Sequence, residues 1–546
     1  MITPRRVLTI ASIAAVAVFG VAACGGGGGS GAKQGGEINV SMTSFPDYVD
    51  PQLSYTLEGW EVLYNAYTPL LTYKHAKGES GTDIVPGLAK AMPEVSADGK
   101  TYKLTLRSNM KYSDGTPIKA SDFSYAIKRL FKVDSGGSVF YGVIAGATDY
   151  ADGKADSISG IKADDATGDI TITLNEPNGT FDHILALPFA APVPPSTPLD
   201  KDATNNPPAS SGPLTITKVD APHTLTMERN PQFKTVKDAG ADEVADAHVD
   251  KIIVTQNKSN SAQVTGVQQN KIDFMTDPPD ADRLPEVKAR YGNRFRLESS
   301  INTYYFWMNT QQAPFNDLRV RQAVNYAVDP EALNRIFGGR LHPSQQILPP
   351  GMPGYQEYKL YPGPDVNKAK QLIAEANPAD RNITVWTDDE PDRKRIGEYY
   401  HDVLTQLGFN ATLKVIAGDV YWTTIGNQTT PDVDTGFGDW FQDFPHPDDF
   451  FRPLINGKSI LPTNGNNYSR VSIPELDAKM NQLLTQRLSD DVKKSYGDLD
   501  RSYMEQAIWA PYGNEQYTTF VSDRMDFDTS YHHLLFNQDY TSFALK

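Results

Sequence analysis

A single cysteine, Cys24, stands in a chain of 546 residues, and it sits near one end. The body therefore has no internal disulfide, no thiolate metal site and no cysteine nucleophile. Its fold must rest on buried apolar surface, and the length is enough for roughly two to four domains. The formal charge of −16 argues against nucleic acid and anionic lipid as partners. The 27 tyrosines, 23 phenylalanines and six tryptophans are ample material for an aromatic-lined cleft, although most aromatics in any chain are core.

The cysteine's surroundings read as export machinery. Arg5 and Arg6 are followed by the short uncharged apolar run 7–21, then by Val21-Ala22-Ala23-Cys24 and five glycines. A run this short with these flanks is a signal peptide, residues 1–23, rather than a mature spanning helix. The small residues before Cys24 resemble a bacterial lipobox, in which cleavage leaves a lipidated cysteine; an ordinary signal peptide with a chance cysteine is the alternative. Cleavage removes two arginines and no acid, taking the charge to −18. Residues 24–36 are the lipidated cysteine and a flexible Gly/Ser linker, so the expected protein is exported and anchored at the outer face of the cytoplasmic membrane without spanning it.

Along the body, strand and helix patterns alternate without an internal repeat. Residues 100–107 place Tyr102, Leu104 and Leu106 on one face of a strand. After the Ser113-Asp114-Gly115-Thr116 turn, 120–131 has helical spacing, with Ser121 as N-cap. Residues 190–208 are proline-rich and read as a crossing. The second half is more helical: 318–328, 366–376, 392–407, 474–486 and 490–506, with strands at 383–387 and 411–416 between them. The expected class is α/β, strand-rich first.

One stretch concentrates chemistry. "WFQDFPHPDDFF", residues 440–451, holds three aspartates, a histidine and five aromatics. A metal reading uses His446 with Asp443, Asp448 or Asp449. It is weakened by the lack of an HExxH pattern and by Pro445 and Pro447, which stiffen the loop around His446. An acid-pair reading uses Asp443 and Asp448, but nothing adjacent supplies a nucleophile or an oxyanion hole. Asp448 and Asp449 also suit the cap of a following helix. No GxSxG, HExxH or P-loop pattern occurs, which leaves a secreted hydrolase as a distant alternative.

Residues 86–130, "PGLAKAMPEVSADGKTYKLTLRSNMKYSDGTPIKASDFSYAIKRL", resemble the signature region of the extracellular solute-binding protein family 5. "SGPLTI" and "MERNPQF" (within 211–233), "FNDLRVRQAVNYAVDPEAL" (315–333) and "WFQDFPHP" (440–447) resemble it further, in the right order. Leu214 and His446 depart from the usual pattern, the first from an aromatic and the second from an acid or amide.

The resemblance implies the ligand-capturing lipoprotein of an ABC importer of oligopeptide type, a two-lobed periplasmic-binding-protein-like clam with an inserted domain. Domain I covers 37–66, 191–300 and 514–546; domain II, inserted and structural, covers 67–190; domain III covers 301–513 and carries the ligand amine site. The chain is expected to cross the hinge near Ser300 and Tyr512. The resemblance implies no catalytic residue, no metal and no cofactor. Its partners are a peptide or other small solute and a permease–ATPase complex, and the protein itself is a monomer. Asp443, three residues after Trp440, would accept the ligand's α-ammonium, with Trp440 and Phe441 keeping water out. The backbone 439–441, with Asp439, would run beside the ligand. The aromatic strand 302–309 would wall the cleft with Tyr304 or Phe306, a buried strand being the alternative. Domain II's Asp114 and Gly115 are expected to build a turn, and Arg319 and Arg321 to pair with acids. A non-peptide solute on the same scaffold, such as a nickel chelate, an oligosaccharide or an opine-like amino compound, stays open.

Overall fold

A computed structural model describes residues 34–463 and 465–546. The signal-peptide and lipobox readings, Cys24 included, lie outside these residues, as does most of the expected linker. No helix among the described residues is long and apolar enough to cross a membrane.

Two large mixed sheets organise the chain. The first has seven strands in the spatial order Phe295–Glu298, Tyr517–Val521, Phe274–Met275, Glu37–Met42, Lys251–Gln256, Thr224–Arg229 and Leu214–Asp220. The second has six, in the order Leu341–Pro343, Trp509–Glu515, Asn302–Met308, Thr435–Phe441, Asn382–Asp388 and Asn410–Ile416. A smaller four-stranded sheet, Glu94–Val95, Thr101–Thr105, Asp169–Thr173 and Ile161–Ala163, belongs to the stretch read as inserted. The chain passes from the first sheet to the second between Glu298 and Asn302, and returns between Glu515 and Tyr517. The return comes two residues later than the 513 boundary, because the Trp509–Glu515 strand stays paired with Leu341–Pro343 to its end.

The Asn302–Met308 strand is central and buried at every position. Such a strand reads as a continuous apolar run because both faces are covered. Tyr305 stacks on Trp509 at 3.7 Å on one side, and Phe306 stacks on Tyr400 at 3.8 Å on the other.

A buried ion pair ties three separate segments together. Arg129, on the helix Ala120–Lys132, donates from Nη1 and Nη2 to the two oxygens of Asp50 at 2.5 and 2.6 Å. Both side chains are fully buried. Arg129 also donates to the carbonyls of Pro198 and Lys201 in the proline-rich crossing, and Asp50 accepts the Ala203 N–H. The fork geometry of a guanidinium suits this many acceptors.

Several local expectations change. The Ala120–Lys132 helix is capped two residues before Ser121, where the Asp122 carboxylate accepts the Lys119 N–H at 2.9 Å; Ser121 instead bonds Asp165. Arg319 pairs with Asp317 at 2.6 Å, but Arg321 donates to the backbone carbonyls of Phe315 and Gln506, because its buried position faces backbone carbonyls, one at a helix C-terminus, rather than acids. The turn at Asp114 forms as read: its carboxylate accepts the Thr116 N–H and hydroxyl, and Gly115 sits at a φ of +88°. The inserted stretch also reaches the six-stranded unit, where the Gly179 N–H donates to Leu484 O at 2.7 Å and Asp182 pairs with Arg487.

Candidate ligand site in the interlobe cleft

The strand Thr435–Phe441, TGFGDWF, is shaped by its two glycines. A Cβ at Gly436 would fall 2.4 Å from the Trp386 carbonyl oxygen, and one at Gly438 would fall 2.8 Å from the Tyr305 ring. Only glycine lets the strand lie this close beneath those aromatics. One edge pairs with Asn302–Met308 along its whole length, from Asn302 opposite Phe441 to Met308 opposite Thr435. The other edge pairs with Asn382–Asp388 only at Thr435 and Gly436. The Phe437 carbonyl is taken by the Trp307 indole N–H and the Tyr421 hydroxyl. Gly438 to Phe441 are left with one strand edge unpaired among the described residues.

This open edge borders a cavity of about 400 Å³. Asp439, Trp440, Phe441, Gln442 and Asp443 line it from the six-stranded unit, with Trp422, Asn466 and Tyr468. Tyr55, Trp60 and Leu535 line it from the opposite side. Tyr55 stacks on Trp60 at 5.7 Å, and Trp422 stacks on Tyr468 at 5.8 Å, so the walls are aromatic on both sides.

Three carboxyls control the electrostatics. Asp443 accepts a hydrogen bond from the Tyr55 hydroxyl at 3.0 Å, a bond that spans the cleft. Asp449 is buried, and its Oδ2 accepts the Asp443 backbone N–H at 2.9 Å and the Trp440 indole N–H at 3.3 Å. A hydrogen bond also joins the carboxyls of Asp443 and Asp449. Burial drives both well above the usual carboxylate range, and for Asp449 the neighbouring Asp443 charge adds to the effect. Two desolvated carboxyls this close hold a proton between them. Asp439 lies 3.5 Å from Arg393, which also pairs with Asp388 at 3.0 Å. Burial pushes Asp439 up to about 6, against the opposing pull of Arg393.

The structure brings Asp439, Trp440, Phe441 and Asp443 to one cavity and leaves Tyr304 and Phe306 out of it. Tyr304 packs against Phe337 and gives its hydroxyl to Glu515 at 2.6 Å, while Phe306 lies under Tyr400. Asp448 and Asp449 are the first two residues of the helix Asp448–Ile455 rather than its cap. His446 takes over part of the capping role: its Nδ1 accepts the Asp448 N–H at 3.1 Å, and Asp448 itself pairs with Arg452 one turn on. Among the described residues no group of three or more His, Cys, Asp or Glu side chains is placed to hold a metal ion. The residues that sequence reasoning missed are Tyr55, Trp60, Trp422, Gln442, Asn466, Tyr468, Leu535 and the bracing carboxyl of Asp449. Gln442 and Asp449 lay in the quoted stretch; the others needed the tertiary fold.

The family model of bacterial extracellular solute-binding proteins, family 5 (middle region), matches residues 83–460. The chain belongs to this family. It is similar to the periplasmic oligopeptide-binding protein OppA of Salmonella typhimurium, 26% identical over 434 residues that cover 75% of each chain. It is also similar to the probable D,D-dipeptide-binding periplasmic protein DdpA of Escherichia coli, 24% identical over 447 residues, covering 80% of this chain and 81% of that one. Among solved structures, the clavulanic acid biosynthesis oligopeptide binding protein 2 superposes with a TM-score of 0.86 at 24% identity, covering 94% of this chain and 96% of that one. The fold is that of the periplasmic binding proteins.

Proposed function

We propose that this solute-binding protein captures peptides in the interlobe cleft and delivers them to an ABC permease, with Asp443 holding the peptide's N-terminal ammonium. The observation that carries this reading is the unpaired strand edge from Gly438 to Phe441, which ends at the Asp443 carboxyl. An extended peptide laid on that edge gains main-chain hydrogen bonds whatever its sequence. Its ammonium then meets a desolvated carboxyl that has no cationic partner among the described residues. The relatives' names, an oligopeptide-binding and a D,D-dipeptide-binding protein, support the same ligand class. The protein acts by binding and release rather than by turnover, as a monomer of domains I, II and III.

The lobes close on the ligand by hinge motion about the two crossings between the large sheets. The Val21-Ala22-Ala23-Cys24 sequence supports export, cleavage and lipid anchoring at the membrane's outer face. Cys24→Ala should therefore abolish membrane retention of the processed form; a variant processed and retained like the wild type counts against the anchor.

The test of the ligand reading is calorimetry with one cognate peptide, free or N-acetylated, on wild type and Asp443→Ala. Truncating one partner of a buried charge pair costs about 2–5 kcal/mol, a loss of roughly 30-fold to several-thousand-fold. Acetylation and the substitution should each weaken binding by such a factor. Together they should not add, since either breaks the same contact. Unchanged wild-type affinity for the acetylated peptide removes the amine clamp and moves a non-peptide solute to the front.

A further inference from the structure

The walls of the cavity offer acceptors and no cation. None of its described lining residues is Lys, Arg or His. The cation beside it, Arg393, is held by Asp388 and Asp439, and its guanidinium lies 5.3 Å from the Phe437 ring centre. Gln442 is 8% exposed and donates its Nε2 to Leu534 O at 2.9 Å. That bond commits the amide's donor, and its Oε1 is covered and has no partner among the described residues. Gln442 therefore offers an anionic ligand no free N–H. The faces of Tyr55, Trp60, Trp422, Trp440 and Tyr468 carry the negative side of the aromatic quadrupole, which also favours a cation.

We propose that the cleft selects cationic ligands: the segment held in the cavity carries positive charge in excess of any carboxylate, as a peptide that begins with lysine or arginine does. The proposal rests on the peptide reading above and narrows it. A first-position side chain with its own N–H donors adds what the α-ammonium on Asp443 cannot, a second positive charge beside the Asp439 carboxyl, whose one cation, Arg393, is shared with Asp388. A ligand carboxylate confined to the same cavity would lose its water and face acidic groups with no cation free to receive it. Zwitterionic dipeptides are therefore disfavoured, whereas longer peptides keep their carboxylate outside.

The experiment is calorimetry on the full mature protein at pH 8 and low salt. The probes are the amidated tripeptides Lys-Ala-Ala, Ala-Ala-Ala and Glu-Ala-Ala, with spermidine as a cation lacking peptide bonds. The lysine peptide should bind roughly tenfold or more tighter than the alanine peptide, and the glutamate peptide weaker by a similar factor. The differences should shrink in high salt. Asp439→Asn should narrow the lysine–alanine gap, and Trp422→Leu, which removes an aromatic face of the wall and changes no charge, should narrow it too and provides a second check if the first variant folds poorly. Equal affinity for the three peptides overturns charge selection and leaves peptide capture standing. Binding of spermidine with no binding of any peptide supports charge selection and overturns peptide capture. No binding of any probe overturns both.

Discussion

The hydroxyl of Tyr55 donates across the cleft to the carboxyl of Asp443 at 3.0 Å, joining residues 388 positions apart in the chain. Each belongs to a different side of the cavity, so under the proposed function this one bond would report on closure and on the ligand's anchor at once.

Tyr55→Phe keeps the ring stacked on Trp60 and deletes only the donor. A hydrogen bond to a charged group contributes about 1.5–3 kcal/mol. Affinity for a free-amine peptide should fall roughly tenfold or more by calorimetry. An affinity equal to wild type would show that the ligand displaces this hydroxyl.

Binding should release a proton. Burial raises Asp443 to about 7 in the ligand-free protein, so this carboxyl is largely protonated in mildly acidic solution. A raised carboxyl costs the fold stability as pH climbs from its unfolded value near 4 toward 7, and an arriving ammonium offsets that cost by favouring the ionised form. Affinity should therefore rise by up to about tenfold per pH unit below 7 and level off above it. Calorimetric enthalpies at pH 6 should vary with the buffer's ionisation enthalpy; a flat affinity from pH 5 to 7.5 with no buffer dependence removes the linkage.

Asp449→Asn separates the two carboxyls chemically while nearly preserving shape. Asp449 is raised further than Asp443, so it keeps the proton and its hydrogen bond pulls Asp443 down. With the weaker amide donor in its place Asp443 should titrate higher, and the midpoint of the pH–affinity curve should move up. Asp448→Asn, whose native carboxyl is occupied by Arg452, should leave the midpoint in place. Equal curves for the two variants would mean that Asp449 only braces the loop.

Arg129→Met leaves Asp50 buried with no cation. Breaking such a pair from one side typically costs 3–5 kcal/mol, about a third or more of a domain's stability. Denaturant unfolding should show the loss in the transition that involves the inserted sheet. Adding Asp50→Leu should recover part of it, because the unpaired charge is then gone.

The local alternation of elements was readable from residue spacing, and the clam architecture followed from spaced motifs. The cleft was readable only where its residues are neighbours in sequence: Asp439, Trp440, Phe441 and Asp443 share one strand and the turn that follows. Tyr304 and Phe306 misled because a central strand buried on both faces has no polar alternation to say which side faces the ligand. Asp449 misled because an aspartate at a helix start ordinarily caps it; the preceding His446 ring satisfies one N–H of that turn, and Asp449 turns back to the Asp443 loop. Tyr55 gave no local signal, since its role exists only when distant segments meet.

The unpaired edge from Gly438 to Phe441 has a consequence for the protein at high concentration. A bare strand edge is a template for pairing with any other bare strand, including one from a second copy, and proteins that display such edges tend to aggregate. Here the edge is recessed between Trp422 on one wall and Tyr55 on the other. Under the proposed function, a single extended peptide would lie on this edge, whereas a second folded copy would have to bring a whole sheet edge between the two walls; the recess would then set passage of one strand against self-pairing.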